Sequence, residues 1–424
     1  MENILEWSRR LLRTQKRNLK SLLNFLAVKY THHGNEKIRV VFLVQYIPAW
    51  NKIEPVYRRL IKDSKFDTFL LCVPKEIIEN ELNSSVKSNG TYDYFFKRGY
   101  KGIIDAMSEN GSWYNLKGLN PDYVFYSRPY NNYLPSAYTS EIVGSYTKIC
   151  LVLYGIMLTK NGLRTAFNKA FCSNIYAYFA DNSPAADLYK SQFPFQVKHK
   201  LQNIIITGAP ALESIIDRKS EHAEAWSFSH NLFKIIWTPR WIIDPATGEG
   251  TNFFNYKDFL IDFAQANKDI DFLFRPHPLA LDNFIRAGAM SAEEAVSFKN
   301  VCGRAKNISL DESEEYVATF WTSSMIISDI SSLLPEYLVT GKPIIYCDTN
   351  INLELEDFAR KMLEACYIAK SREDITAYIY EIKRGNDYLK EKRQQILSEI
   401  FGSDFYNASD KIVSFLLTDH AGSR

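Results

Sequence analysis

Five short runs in this 424-residue chain set groups that handle anions or protons directly behind apolar, strand-like stretches. Phe272-Leu273-Phe274 runs straight into Arg275-Pro276-His277-Pro278, where prolines restrict the backbone on both sides of the imidazole. Arg275 offers bidentate hydrogen bonds to a phosphate, and His277 can donate to a phosphate oxygen or move a proton near neutral pH; these two are the catalytic candidates. Met325-Ile326-Ile327 runs into Ser328-Asp329-Ile330-Ser331-Ser332 and opens a helix, which puts Ser331 or Ser332 at its N-cap. Hydroxyls and free N–H groups at a helix start can cradle an anion, with plain capping as the other reading. Asp329 stands in the same run, and Glu336, one turn further on, could accept from the two hydroxyls of a ribose. Trp237-Thr238-Pro239-Arg240-Trp241 closes another apolar run, where Arg240 could reach a phosphate with Thr238 beside it, and the indoles could frame a base or lie in the core. Nearer the N-terminus, Arg128-Pro129-Tyr130 and Tyr154-Gly155 follow strand-like runs as well and could contact an accepting substrate or serve loop packing.

The elements that must position these runs alternate. After Gly34, short apolar runs and longer amphipathic stretches succeed one another, the pattern of βα units on a parallel sheet. Strands are expected at 38–46, 68–73, 123–126, 149–153, 175–179 and 204–206. A polar stretch from Arg218 to His230 interrupts the rhythm, which restarts with strands at 233–237, 272–274, near 308, 325–328 and 344–346. From Asp374 onward the sequence reads helical with charged faces. The fold class is therefore α/β, with two Rossmann-like, doubly wound domains. The expected divisions are a basic amphipathic helix over 1–30, an N-terminal domain over 31–222, a C-terminal domain over 223–400, and a C-terminal helix over 401–424 that could cross back. In such sheets ligands sit at the carboxyl ends of the strands, where all five runs fall.

Fifty-one Lys and Arg against 49 Asp and Glu leave a net charge of +2, so nothing global draws the chain to nucleic acid and any bound anion must be held locally. A hydrophobic content of 46% can fill real cores and excludes a disordered scaffold. Cys72, Cys150, Cys172, Cys302, Cys347 and Cys366 are scattered without metal-ligand spacing, and the histidines, with His32 and His33 adjacent in a loop-like stretch, form no zinc signature. Reduced thiols, no metal and no other cofactor are expected. No signal-type apolar core opens the chain, and no run of ~18 uncharged apolar residues follows, so a cytoplasmic location is expected. The opening segment is nonetheless suited to a membrane surface. Leu5, Leu12, Leu19, Leu22, Leu23 and Leu26 recur at near-helical spacing, while Arg9, Arg10, Arg13, Lys16, Arg17 and Lys20 fill the remaining faces. Such a helix could lie on an anionic membrane surface with Trp7 and Phe25 as anchors, or pack on its own domain.

The ordered set Thr207-Gly208-Ala209-Pro210, Thr238-Pro239-Arg240-Trp241, Arg275-Pro276-His277-Pro278, Ser328-Asp329-Ile330-Ser331-Ser332 and Lys342-Pro343-Ile344-Ile345-Tyr346 resembles the CDP-glycerol glycerophosphotransferase family, the teichoic acid primases and polymerases. The resemblance covers the second half of the chain. It implies a GT-B fold, with two Rossmann-like domains facing a cleft, the nucleotide donor held by the C-terminal domain, and no metal cofactor. It puts His277 on the pyrophosphate, Ser331 and Ser332 on phosphate, and Glu336 opposite the ribose. The implied reaction is displacement at the β-phosphorus of a CDP-linked alditol by an acceptor hydroxyl, releasing CMP, with Arg275 and Arg240 stabilising the developing charge. The implied acceptor is a lipid-linked or polymeric surface glycan, of capsule or teichoic acid type, met at the inner membrane face. One position departs from the family. Members carry a His-Gly pair in the first domain, thought to serve as base for the acceptor hydroxyl, and the corresponding position here is Tyr154-Gly155. A tyrosine, with a pKa of about 10, is a poor base at neutral pH, so another group activates the acceptor or the acceptor itself differs.

Two further readings stay open from the residues alone. One is a GT-B glycosyltransferase in which the same phosphate cradle holds a nucleotide sugar attacked at its anomeric carbon. The other is a non-catalytic subunit whose missing histidine marks a dead site.

Overall fold

Strands that are apolar along their whole length, rather than alternating, belong in parallel sheets buried on both faces. The computed structural model describes residues 2–29, 34–75, 89–108, 110–220, 226, 232–243, 250–348, 353–402 and 405–422, and among them the apolar runs build two such sheets. The first contains β1 (Ile38–Val44), β2 (Phe66–Cys72), β3 (Ile103–Asp105), β4 (Tyr123–Tyr126), β5 (Lys148–Val152), β6 (Ala177–Ala180) and β7 (Asn203–Ile206). Their order is β3-β2-β1-β4-β5-β6-β7, with every neighbouring pair parallel. The second contains β8 (Phe233–Thr238), β9 (Ile270–Phe274), β10 (Ile308–Leu310), β11 (Met325–Ser328), β12 (Ile344–Cys347) and β13 (Tyr367–Ala369), in the order β10-β9-β8-β11-β12-β13 and again parallel.

Each sheet starts in its middle, runs outward on one side and returns to the other. The strand order therefore reverses between β1 and β4 in the first sheet and between β8 and β11 in the second. Crevices at the carboxyl ends of such strand pairs are where open α/β sheets bind ligands. In the second sheet the register places Thr238 opposite Ser328, so two of the candidate runs begin side by side.

Helices α1 (Glu2–Lys29), α2 (Glu54–Leu60), α3 (Pro210–Asp217), α4 (Leu333–Leu338) and α5 (Ala408–Gly422) flank the sites or close the cores. The chain divides into two units. One holds Met1–Ile156, Asn161–Glu213 and Asp404–Arg424; the other holds Met157–Lys160 and Ser214–Ser403. The expected division after residue 222 lies outside the described residues, and the observed one follows Glu213. The pair His32 and His33 also lies outside them. β3 and β13 were not anticipated; each is three residues long and sits at a sheet edge, as does β10, which was expected near Ile308. β1 stops at Val44, two residues before its expected end, which frees Tyr46 for a different role.

α5 belongs to the first unit, where Ile412 and Leu416 are fully buried in one core with Val40, Phe42 and Leu70. Polar contacts hold it at both ends. Toward its C-terminus the Asp419 carboxylate accepts from the hydroxyls of Tyr123 and Tyr176, each at 2.6 Å, and pairs with Lys148 at 2.7 Å. The Lys148 ammonium lies over the rings of the same two tyrosines. At its N-terminus Glu213 of α3 accepts from the Ser409 N–H at 2.9 Å and from its hydroxyl, and Arg59 of α2 pairs with Asp410 at 2.6 Å. Burial pushes the Glu213 carboxyl up to about 6, against the downward pull of Ser409 and Arg59. The second unit has its own core around Trp237, Phe253, Phe272, Phe274 and Ile327. All six cysteines are unpaired and buried. Among the described residues no helix is long and apolar enough to cross a membrane.

Removing Asp419 takes the paired carboxylate from a Lys148 side chain that is only 6% exposed. Asp419→Ala is expected to cost the first unit about 3–5 kcal/mol in urea unfolding, and Leu416→Ala about 2–5 kcal/mol. Losses below about 1 kcal/mol for both would remove α5 from that core.

Candidate active site

The loops after β8 and β11 meet at the switch point of the second sheet and are fastened there by short side chains. Thr238 and Ser328 share a hydroxyl contact at 2.9 Å, and Ser328 also donates to the Thr238 carbonyl at 2.9 Å. The next residue, Asp329, is buried and accepts four hydrogen bonds: from the Arg240 N–H at 2.7 Å, the Asn252 N–H and side-chain amide at 3.0 Å each, and the Thr251 hydroxyl at 3.3 Å. Burial pushes this carboxyl up, while the hydrogen bonds act in the opposite direction. Expected to bind a donor, Asp329 instead has its oxygens occupied by the protein, because a buried carboxylate must be satisfied internally. It organises the loop that carries Arg240.

Arg240 is partly buried, and burial lowers its guanidinium from the ordinary value, opposed by the charges of Asp329 and Tyr346. Among the described residues no carboxylate lies within ion-pair distance of it. A cation withdrawn from water without such a partner can be completed by an anionic ligand. Its neighbour Trp241 stacks on the His277 imidazole, with ring centres 4.8 Å apart and planes 17° from parallel. Trp237, the other indole of this run, is core: it stacks on Phe253.

His277 is held from several directions. The Leu279 N–H donates to Nδ1 at 3.1 Å, and the His277 carbonyl accepts from the Ala280 N–H at 2.8 Å. With Nδ1 accepting, the neutral ring carries its proton on Nε2 and presents it as a donor. Burial lowers the imidazole from 6.5 to about 4, so it is neutral throughout the physiological range. Of the two roles anticipated for it, donation to an oxygen matches this state and proton uptake near neutrality does not.

Arg275, anticipated on the phosphate, is engaged elsewhere. Its guanidinium pairs with Asp311, donates to the Ser313 carbonyl at 2.8 Å and hydroxyl at 3.3 Å, and lies over the Tyr316 ring. It ties the loop after β9 to the loop after β10. Glu336 is fully buried and accepts from the Tyr316 hydroxyl, so a ribose can reach it only by displacing or sharing that hydroxyl. α4 starts at Leu333; Ser332 precedes it in helical conformation with no side-chain cap, and the Ser331 hydroxyl accepts from the Leu333 N–H at 3.2 Å. The Ser332 hydroxyl has no hydrogen bond among the described residues. Lys342, in the last of the ordered motifs, caps the helix before β11 by donating to the carbonyls of Phe320, Trp321 and Ser323. Among the described residues no group of three or more His, Cys, Asp or Glu is placed to hold a metal ion.

The first unit has a small pocket at its own switch point, lined by Tyr46, Trp50, Arg128, Tyr130 and Tyr133 among others. The Arg128 guanidinium lies 5.0 Å from the ring centres of both Tyr46 and Tyr133 and has no ion pair among the described residues. The Tyr130 and Tyr154 hydroxyls are 3.2 Å apart. Burial raises the Tyr130 hydroxyl, which keeps its proton and serves as a hydrogen-bonding group rather than a base. Gly155 is buried beside this pair.

The structure thus brings Thr238, Arg240, His277, Asp329, Ser331 and Ser332 to the carboxyl ends of one sheet, and Arg128, Tyr130 and Tyr154 to those of the other. Reasoning from sequence missed Thr251 and Asn252, which hold Asp329, and Asp311, Ser313 and Tyr316, which hold Arg275 and Glu336. Asp311 directly follows β10, so the strand-end rule applied to that strand would have found it.

The profile of the family described as CDP-Glycerol:Poly(glycerophosphate) glycerophosphotransferase matches residues 159–418. That range includes every donor-side residue and excludes Arg128, Tyr130 and Tyr154. No curated protein matches the chain. Among solved structures, the wall teichoic acid polymerase TagF aligns over 98% of this chain and 98% of its own, at 14% identity and a TM-score of 0.59. UDP-GlcNAc 2-epimerase from Neisseria meningitidis, bound to UDP-GlcNAc, aligns over 90% and 100% at 15% identity and 0.57, and the same enzyme from Methanocaldococcus jannaschii over 90% and 99% at 12% identity and 0.52. These likenesses show the fold, two Rossmann-like units of the GT-B type.

Two variants separate an organising carboxylate from a ligand-facing imidazole. Asp329→Ala leaves several buried donors unpaired at about 1–3 kcal/mol each and is expected to lower the melting temperature sharply. His277→Gln, which keeps an N–H near the Nε2 position, is expected to melt like the parent. Because folding holds His277 neutral between about 4 and 6.5, the unfolded chain binds one more proton in that window, and stability falls as pH drops through it. His277→Gln should flatten that part of the stability curve; an unchanged curve would place the imidazole in water.

Proposed function

Because the chain belongs to the CDP-glycerol:poly(glycerophosphate) glycerophosphotransferase family, we propose that this transferase moves a glycerophosphate, or a related alditol phosphate, from a CDP-linked donor to a hydroxyl of a lipid-linked or polymeric surface-glycan acceptor and releases CMP. The observation that carries the reading is the pairing of an Nε2–H donor on a neutral His277 with the Arg240 cation at one switch point. A pyrophosphate set there receives a hydrogen bond and a positive charge without taking up a proton.

The acceptor oxygen attacks the β-phosphorus, the bond from that phosphorus to the bridging oxygen breaks, the electron pair leaves with CMP, and the acceptor's hydroxyl proton passes to a phosphate oxygen of the departing CMP. His277 and Arg240 stabilise the charge that grows on the phosphoryl and bridging oxygens. Ser331 and Ser332 border the phosphates, and Thr238 and Asp329 hold the loops in place. Glu336 takes the ribose hydroxyls once Tyr316 yields. In this reading Arg275 is a positioning residue, and no metal or other cofactor takes part. On the acceptor side, Tyr130 and Tyr154 orient the attacking hydroxyl and Arg128 draws the anionic acceptor. A loose, largely dissociative transition state asks little of a base, which fits a pair of tyrosines where a histidine would otherwise stand. Work on a lipid-linked acceptor puts the protein on the cytoplasmic side, against the inner face of the cell membrane.

Purified protein given CDP-glycerol and a glycerophosphate-primed acceptor should release CMP, with no UDP release from UDP-sugars. His277→Ala should lower turnover by about 10²–10³-fold, with partial recovery in His277→Gln. Chelation with EDTA should leave the rate unchanged. UDP release without CMP release would identify a glycosyltransferase, and an unaffected His277→Ala would identify a site that does no chemistry.

A further inference from the structure

We infer that Tyr316 is a latch on the donor side of the second unit. Its hydroxyl holds the carboxylate that a ribose would take, and its ring ties the arrival of that ribose to the loop carrying His277. The inference rests on the reading of the second unit as a nucleotide-donor unit, and it applies to any ribonucleotide donor. Arg275 and Glu336 both suit a nucleotide by type and place, and both are engaged elsewhere. One side chain meets the two of them. The Tyr316 hydroxyl donates to the Glu336 carboxylate, and the Arg275 guanidinium lies over the Tyr316 ring, 5.3 Å from its centre.

Burial makes a ligand contact to Glu336 an exchange rather than an addition. Glu336 has no solvent exposure and Tyr316 only 5%. A carboxylate out of water must keep its donors. The phenol supplies one O–H where the neighbouring hydroxyls of a ribose supply two, so a ribose replaces what the tyrosine gave. Tyr316 cannot swing aside alone. Its ring packs on Phe320, with centres 4.9 Å apart, and Arg275 above it is anchored by the ion pair with Asp311 and by donation to the Ser313 carbonyl at 2.8 Å. Withdrawal of the ring takes the support from under the guanidinium. Arg275 precedes His277 by two residues, and the fixed φ of Pro276 between them passes the disturbance down the chain with little slack. Seating the nucleoside thus resets the loop that presents the imidazole.

A fixed brace is the competing role for Tyr316, and it has the opposite sign. A brace orients Glu336 for the ligand, so loss of its hydroxyl weakens binding. A latch competes with the ligand. Loss of its hydroxyl leaves the buried carboxylate one donor short in the empty protein and makes binding tighter.

Calorimetric titration of the full chain with CMP, UMP and 2′,3′-dideoxy-CMP tests that sign. Tyr316→Phe keeps the ring beneath Arg275 and against Phe320, and it should melt near the parent temperature. It should bind CMP on the order of tenfold more tightly than the parent, with no gain for 2′,3′-dideoxy-CMP, which lacks the competing hydroxyls. Adding Glu336→Gln should erase the gain. In turnover the KM for the CDP-linked donor should fall by a similar factor while kcat does not rise. Unchanged or weaker CMP binding, or an equal gain for the dideoxy nucleotide, would overturn the latch and leave the donor reading in place. Binding of UMP but not CMP, with the same gain in Tyr316→Phe, would support the latch and overturn the CDP-linked donor. A parent protein that binds neither nucleotide overturns both.

Discussion

A single buried carboxylate sets the geometry of the donor-side site. Asp329 follows the fourth strand of the second sheet, and its hydrogen bonds come from the loop after the first strand and from the Thr251-Asn252 segment beyond it. Two stretches of chain far from Asp329 in sequence are thereby fixed to one pair of oxygens. A negative charge in that position is costly unless every lone pair is met, and the same requirement dictates where the Arg240 backbone must lie. The Arg240 cation inherits its place from a backbone contact, not from a contact of its own side chain. The Thr238–Ser328 hydroxyl pair repeats the arrangement one step deeper in the sheet. The Trp241 ring extends it outward by shielding one face of His277 from water.

Much of this is legible in the sequence, because strand ends announce themselves. Phe272 to Phe274 and Met325 to Ile327 are apolar without interruption, and a parallel strand buried on both faces leaves no other pattern. The residues behind them therefore fall at the sheet's carboxyl edge, as the pattern requires. Their individual duties are harder to read. Asp329, Glu336 and Arg275 carry the charges a nucleotide site needs, but whether a charge faces a ligand or another side chain depends on partners that sequence adjacency does not supply. Asp311 and Tyr316 lie tens of residues from the groups they hold. Edge strands of three residues carry almost no pattern, so β3 and β13 escape notice while β10, equally short, is legible only as a strand near Ile308. In the first half, Arg128 and Tyr154 stand out by type, while the tyrosines that flatten Arg128 look like ordinary loop aromatics.

The course of α5 bears on the order in which the protein can be made. Ile412 and Leu416 complete a core whose other members lie mostly between Val28 and Phe179. Ile235 to Ile382, which form the core of the second unit, leave the ribosome in between. The second unit can close as soon as its own strands are out, and the first cannot, since it must wait for the last helix with an apolar surface still open. During synthesis the unit that begins the chain is thus the last to be finished, and for that interval chaperones would find their binding sites on the half that was translated first.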